Sequence, residues 1–116
     1  MSTSNVRKVQ PYPFSFYVQR DGKFLVEEAL KLSQTGAMVK ATGPLYLVGS
    51  EFLVNFTLPV LKLEVSCQAK VMKTYDRAMI RDKTVERLVE FRFLNLDSEQ
   101  QKGIQSFLIR IGQIRR

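Results

Sequence analysis

Residues 89–99 read Val-Glu-Phe-Arg-Phe-Leu-Asn-Leu-Asp-Ser-Glu, and this stretch decides the fold. Val89, Phe91 and Phe93 alternate with charged residues, which is the two-residue period of a strand with one buried face. Asp97 then stands where a helix N-cap is needed, and Gln100 three residues later completes a capping-box pattern. The sequence therefore predicts a final strand followed closely by a helix.

The predicted C-terminal helix has one apolar stripe, formed by Ile104, Phe107, Leu108 and Ile111. Burying such side chains contributes roughly 1.5 to 3 kcal/mol each, so we expect this helix to dock on the rest of the protein. A helix that binds a partner is the alternative interpretation of the same stripe.

Upstream, runs of alternating or β-forming residues are separated by turn signals such as Asp21-Gly22 and Gly43-Pro44. Six antiparallel strands at regular spacing indicate a small barrel or sandwich. We predict a mainly β protein: a six-stranded antiparallel barrel, residues 13–116, closed by the C-terminal helix and preceded by a flexible basic arm, residues 1–12. A polar loop is expected from Tyr75 to Thr84. The predicted strands are Phe14–Val18, Phe24–Leu32, Ala37–Ala41, Glu51–Leu58, Leu63–Lys73 and Val85–Leu94.

The residue types disfavour an enzyme. The 116-residue chain has no histidine, the most common general acid or base, and its single cysteine, Cys67, lies at an apolar position of an alternating strand. Cys67 is therefore expected in the core, and neither a metal-ligand cluster nor a phosphate-binding glycine loop is present. Glu27 and Glu28 would point to opposite faces of a strand, so they form no catalytic pair. We expect no catalysis and no cofactor.

The charge balance favours an anionic partner, although only weakly. Eighteen basic residues against 11 acidic ones give a formal charge of +7, but these charges are spread along the chain as a solvated surface would be. No apolar run approaches the ~20 residues of a membrane helix, and residues 1–5 are polar, unlike a signal peptide. We expect a cytoplasmic protein without membrane insertion.

The order of motifs resembles the PilZ domain family. A turn with Ser33 and Gly36 is followed by a Phe-rich strand ending in Leu-Pro, a Val-x-Cys-x-Ala-x-Val strand, a Val-x-Phe-x-Phe-Leu-Asn-Leu strand and a helix. The similarity runs from about Pro13 to Ile111 and rests on succession and spacing, since each motif is short. It implies a non-enzymatic bacterial receptor that binds cyclic di-GMP and passes the signal to a partner protein.

In the family, the ligand is bound by Asp/Asn-x-Ser-x-x-Gly on a turn and by Arg-x-x-x-Arg on the preceding arm. The turn here keeps Ser33 and Gly36, but Lys31 replaces the acidic or amide residue. Because lysine has no hydrogen-bond acceptor, it cannot reproduce a carboxylate's contacts with guanine N–H groups. Ser33 and Gly36 serve either the ligand or only the turn, and both interpretations remain open.

On the arm, Arg7 has no arginine partner, because the two possible positions are Thr3 and Pro11. Lys8 offers a point charge but lacks the planar guanidinium of arginine, which makes paired hydrogen bonds. The alternative interpretation is that Arg7 and Lys8 belong only to a solvated arm. The resemblance thus implies that Arg7, Lys8, Lys31, Ser33 and Gly36 are the candidate ligand-binding residues.

The sequence departs from the family pattern in both ligand-binding motifs, the turn and the arm. We therefore hypothesise that cyclic di-GMP binding is weak or absent and that a protein partner is the main target. The alternative from another class is a single-stranded nucleic-acid-binding β-barrel, which we regard as less favoured because most of its stacking aromatics would fall at alternating strand positions that face the core. Those aromatics are Tyr12, Phe14, Phe16, Tyr17 and Tyr75.

Overall fold

The computed structural model describes residues 11–43, 45–79 and 84–113, so Arg7, Lys8 and most of the predicted arm lie outside the described residues. Six strands precede one helix. They are β1 (Phe14–Arg20), β2 (Lys23–Leu32), β3 (Gly36–Ala41), β4 (Glu51–Leu58), β5 (Leu63–Met79), β6 (Thr84–Phe93) and α1 (Ser98–Arg110).

The six strands form a closed antiparallel barrel in the order β1-β2-β3-β6-β5-β4. Two pairings join strands that are distant in the sequence: β3 with β6, and β1 with β4. Closure gives every strand two paired neighbours in the barrel. The predicted fold, a mainly β six-stranded barrel closed by a C-terminal helix, is confirmed.

The barrel interior is built on phenylalanine rings contributed by different strands. Phe16 stacks on Phe56 with 5.3 Å between ring centroids and contacts Phe91 at 5.5 Å, while Phe56 stacks on Phe93 at 5.6 Å. Cys67 is buried among these strands, and burial raises the pKa of its thiol to about 11. Cys67 is thus a core residue, as its alternation predicts.

The helix α1 begins as the sequence predicts. The Asp97 side chain accepts a hydrogen bond from the Gln100 N–H at 2.8 Å, and the Gln100 side chain accepts one from the Asp97 N–H at 3.4 Å. Ile104, Phe107 and Leu108 are fully buried against the barrel. The apolar stripe therefore docks on the barrel.

The connector from Thr42 to Ser50 covers the barrel around a buried carboxylate. Glu27 is 4% exposed and accepts hydrogen bonds from the Tyr46 hydroxyl at 2.7 Å and from the Thr42 N–H at 3.0 Å. Arg20 lies over the Tyr46 ring at 4.6 Å. Burial, and then the hydrogen bond to the charged Glu27, raise the pKa of Tyr46, so its hydroxyl remains a donor. This network fixes the connector to β2.

The predicted loop from Tyr75 to Thr84 is wrong in its extent, because β5 continues to Met79 and β6 begins at Thr84. This hairpin extension is held by opposite charges across the strands, Arg77 with Glu86 and Asp76 with Arg87. The hydrogen bond from Arg77 is the main reason that the pKa of Glu86 lies below its ordinary value. An extension solvated on both faces needs no apolar alternation, so its polar sequence resembled a loop.

Truncation of the helix anchor should test how much α1 contributes to stability. Phe107→Ala removes a fully buried ring, and we expect it to lower the free energy of unfolding by about 3 to 5 kcal/mol in urea denaturation. Gln105→Ala, on the exposed face of the same helix, is the control and should change it by less than about 0.5 kcal/mol. Equal effects of the two substitutions would contradict docking.

Gly36 should tolerate no side chain. A Cβ there would overlap the Phe91 carbonyl oxygen on β6, so Gly36→Ala must push β3 away from β6. We expect a loss of about 2 kcal/mol or more in the free energy of unfolding, measured in urea. Gly43→Ala is the matched control, since nothing lies within 4 Å of a Cβ there. A Gly36→Ala protein as stable as the control would show that the strands separate freely.

Candidate ligand-binding site

A surface cavity of about 580 Å³ lies beside the 33–36 turn. Its walls come from the end of β2, the start of β3, the outward face of β6 and the end of α1. The charged and polar residues that line it include Lys31, Ser33, Glu90, Arg92 and Gln113.

Ser33 organises the turn through its hydroxyl. The Ser33 Oγ accepts hydrogen bonds from the N–H groups of Thr35 at 3.2 Å and Gly36 at 3.1 Å, and the hydroxyl donates to the Gly36 carbonyl at 3.3 Å. The Ser33 N–H also donates to that carbonyl, at 2.8 Å. Serine commonly closes turns in this way. The hydroxyl predicted for the ligand is therefore engaged by the turn itself.

The turn is tied to β6 on its other side. The Phe93 N–H donates to the Thr35 carbonyl at 2.8 Å, and Gly36 lies directly opposite Arg92. A Cβ at Gly36 would overlap the Phe91 carbonyl oxygen, so the absence of a side chain is what lets β3 approach β6 this closely. Gly36 thus serves the strand contact and also lines the cavity.

Lys31 lines the cavity from β2. It lies opposite Met38, Met38 lies opposite Glu90, and Glu90 lies opposite Lys73, which makes one outward row across four strands. Lys31 is exposed. Lys31 therefore faces the cavity, whose carboxylate, Glu90, lies two strands away.

The cavity combines cationic and apolar surfaces. Lys31 and Arg92 contribute two positive charges against the single carboxylate of Glu90, and Met38 and Met72 contribute thioethers. Guanidinium and ammonium groups bind phosphate or carboxylate, and methionine packs adaptably against rings. The arrangement can accept an anion that carries a flat apolar part.

Sequence reasoning named Lys31, Ser33 and Gly36, and the structure brings all three together at this cavity. It missed Glu90 and Arg92, which reach the site only because β6 pairs with β3. The sequence showed that both residues take outward positions on an alternating strand. It did not show which strand lies beside them, because the β3–β6 pairing joins segments that are distant in the sequence.

Tyr12 connects the candidate arm to the site. Its hydroxyl oxygen accepts the Leu32 N–H at 3.0 Å, and its ring contacts Phe107 edge-on at 6.5 Å between centroids. Burial raises the pKa of Tyr12. The chain therefore leaves the described residues next to the 33–36 turn.

The described residues hold no group of three or more histidine, cysteine or carboxylate side chains that could bind a metal ion. In the same part of the chain, no helix has the length and apolar character needed to cross a bilayer.

The fold is shared with three solved structures. The PilZ domain of YcgR from Escherichia coli, solved with cyclic di-GMP, superposes with a TM-score of 0.72 at 16% identity, covering 85% of this chain and 81% of that one. The Bacillus subtilis inhibitor of motility MotI/DgrA superposes with a TM-score of 0.73 at 14% identity, covering 96% of this chain and 54% of its own. Apo MrkH from K. pneumonia superposes with a TM-score of 0.73 at 10% identity, covering 96% and 50%.

The chain thus spans about half the length of MotI and MrkH. A comparison with curated proteins finds no match. The PilZ domain family model matches residues 3–110, nearly the whole chain. PilZ domains are non-catalytic receptors and effectors, which confirms the expectation that this chain is not an enzyme. The chain belongs to the PilZ domain family and is a non-enzymatic signalling module of that type.

Proposed function

We propose that this domain transmits a signal through contact with a partner protein in the bacterial cytoplasm, and that its own binding of cyclic di-GMP is weak or absent. The observation that carries the proposal is Lys31, which occupies the family's acidic position and lines the cavity. Arg7, Lys8, Ser33 and Gly36 remain the other candidate contacts.

The hydrogen-bonding groups of guanine explain why Lys31 should lower the affinity for cyclic di-GMP. An acidic or amide residue accepts hydrogen bonds from guanine N–H groups, whereas an ammonium group only donates. Loss of one charge-assisted contact costs about 1.5 to 3 kcal/mol, which is roughly ten- to over a hundredfold in affinity. Glu90 is the nearest replacement in the cavity, but Met38 lies between it and Lys31 on the sheet.

The arm supplies part of the family's phosphate clamp. Arg7 is five residues before Tyr12, so chain length alone keeps it within about 18 Å of the tyrosine beside the turn. It can therefore reach the cavity, and Lys8 can add a point charge. Only one planar guanidinium is available on this arm, because Thr3 and Pro11 stand at the spacing of the second.

Nucleic-acid binding is less well supported. Of its five proposed stacking aromatics, Phe16 is fully buried, and Tyr12 and Phe14 pack against the core. Tyr17 and Tyr75 are exposed, at 37% and 39%, so the expectation that these aromatics are mostly core residues fails at these two positions. They lie on strands separated by β4 and do not form a continuous stacking platform.

Restoring the acidic residue should restore ligand binding. We expect Lys31→Asp to bind cyclic di-GMP at least tenfold more tightly than the wild type in isothermal titration calorimetry, because the carboxylate supplies the missing acceptor. Lys102→Asp makes the same charge change on an exposed position of α1 and should leave the affinity unchanged. Submicromolar binding by the wild type, with NMR shifts centred on Arg7 and Ser33, would refute weak binding.

A further inference from the structure

β5 extends well beyond the strand beside it. It has 17 residues against eight in β4, and the β4 pairing ends where Glu51 meets Lys70. One further contact follows, in which the backbone of Val71 exchanges hydrogen bonds of 2.8 Å with Gly49 and Ser50. Among the described residues, β5 from Met72 to Met79 then pairs only with β6, which leaves one edge of this segment open.

The alternation of an antiparallel ladder identifies the backbone groups on this edge. The Leu94 N–H donates to the Gln68 carbonyl, so even-numbered residues of β6 face β5. The register of β5 against β6 shifts between Val71 and Lys73. Beyond this shift, the even-numbered residues of β6 pair with odd-numbered residues of β5. The N–H and C=O groups that point to the open edge are therefore those of Thr74, Asp76 and Ala78.

Such an edge is a template for another strand. Proteins usually protect edges by covering them or by keeping them short, and a peptide that adds to an open edge gains backbone hydrogen bonds along its length. The side chains beside this edge are accessible, with Met72 and Tyr75 each 39% exposed. A segment of eight residues, 72–79, is long enough to seat a strand of ordinary length.

We propose that the open edge of β5, residues 72–79, binds an extended segment of a partner protein as an additional antiparallel strand. This inference rests on the proposed role in protein contact and specifies where and how the partner binds. It requires no ligand in the cavity.

The strand already paired with β5 shows which side chains fit. Lys73 lies opposite Glu90, Arg77 opposite Glu86 and Asp76 opposite Arg87. Directly opposite residues share a face on either edge of a strand, so the open edge presents the same side chains to a newcomer. The partner segment should therefore place acidic residues opposite Lys73 and Arg77 and a basic residue opposite Asp76.

A second copy of β5 fits this edge poorly. Antiparallel pairing of two such edges must match residues whose backbones face each other. Registers centred on Asp76 or Arg77 place that residue opposite itself, and a register centred on Tyr75 places Lys73 opposite Arg77. A register centred on Thr74 avoids like charges but pairs only residues 72–76, because Val71 is already bonded to Gly49 and Ser50. Like charges directly opposite each other are destabilising, so the charges favour a different chain.

A peptide with the sequence of residues 84–90, labelled with fluorescein, provides the probe because it carries the complementary pattern. We expect saturable binding to the full chain by fluorescence anisotropy. Hydrogen exchange should show the amides of Thr74, Asp76 and Ala78 exchanging quickly in the free protein and slowing when the peptide is added. No binding, or protection elsewhere only, would overturn the proposal.

N-methylation of the peptide separates strand addition from other modes. Methyl groups on the residues that copy Arg87 and Val89 block the amides facing β5, and we expect at least tenfold weaker binding. Methyl groups on the residues that copy Glu86 and Leu88 face away and should change little. Equal loss of binding by the two methylated peptides is expected if the peptide replaces β6 and would overturn the proposal. Unchanged binding by both peptides would overturn it as well.

Substitutions on the protein complete the test. Ala78→Pro removes an edge N–H at a position where an edge strand tolerates proline, and should weaken peptide binding at least tenfold; Ala78→Ser keeps the N–H and should not. Lys73→Glu should also weaken peptide binding, unlike Lys102→Glu.

A dimer in sedimentation that Ala78→Pro abolishes would instead identify a second copy as the occupant and overturn the proposal. Submicromolar cyclic di-GMP binding in calorimetry, by contrast, would count against the proposed function alone.

Discussion

The antiparallel pairing of β3 with β6 is the contact on which the rest of the structure depends. It joins the first three strands to the last three, and its inward pairs, Ala37 with Phe91 and Val39 with Val89, lie in the core. The same ladder brings the 33–36 turn against β6 through the hydrogen bond between Thr35 and Phe93. Together with the β1–β4 pairing, this ladder closes the barrel, and it also forms the candidate cavity, which explains why a side chain at Gly36 would disturb both.

Local patterns made most of the fold predictable from the sequence. The alternation through Cys67 and Phe91 marks strands, and the Asp97 capping box marks the start of the helix, because both signals depend on neighbours within a few residues. The partner of each strand depends on distant segments, so the β3–β6 pairing was not predictable. The extension of β5 past Tyr75 was missed because its strands are held by ion pairs and face water on both sides.

The candidate site shows the same division between local and distant information. Ser33 and Gly36 follow from a motif, and both are required by the turn and by the approach of β3 to β6, whatever the cavity binds. Their presence therefore carries little information about a ligand. Lys31 is an exposed side chain with no such structural role, so the proposed change in ligand preference rests on its chemistry. Glu90 and Arg92 enter the site only through the long-range ladder, beyond the reach of motif reasoning.

The two surfaces identified on this domain meet at one irregularity. The register of β5 against β6 shifts between Val71 and Lys73, just past the point where β5 leaves β4 and its open edge begins. Met72, at this shift, is exposed and lines the cavity. A bulge changes strand direction and twist locally, so a ligand that moved Met72 would also change the start of the open edge. Met72 therefore belongs both to the cavity wall and to the start of the open edge.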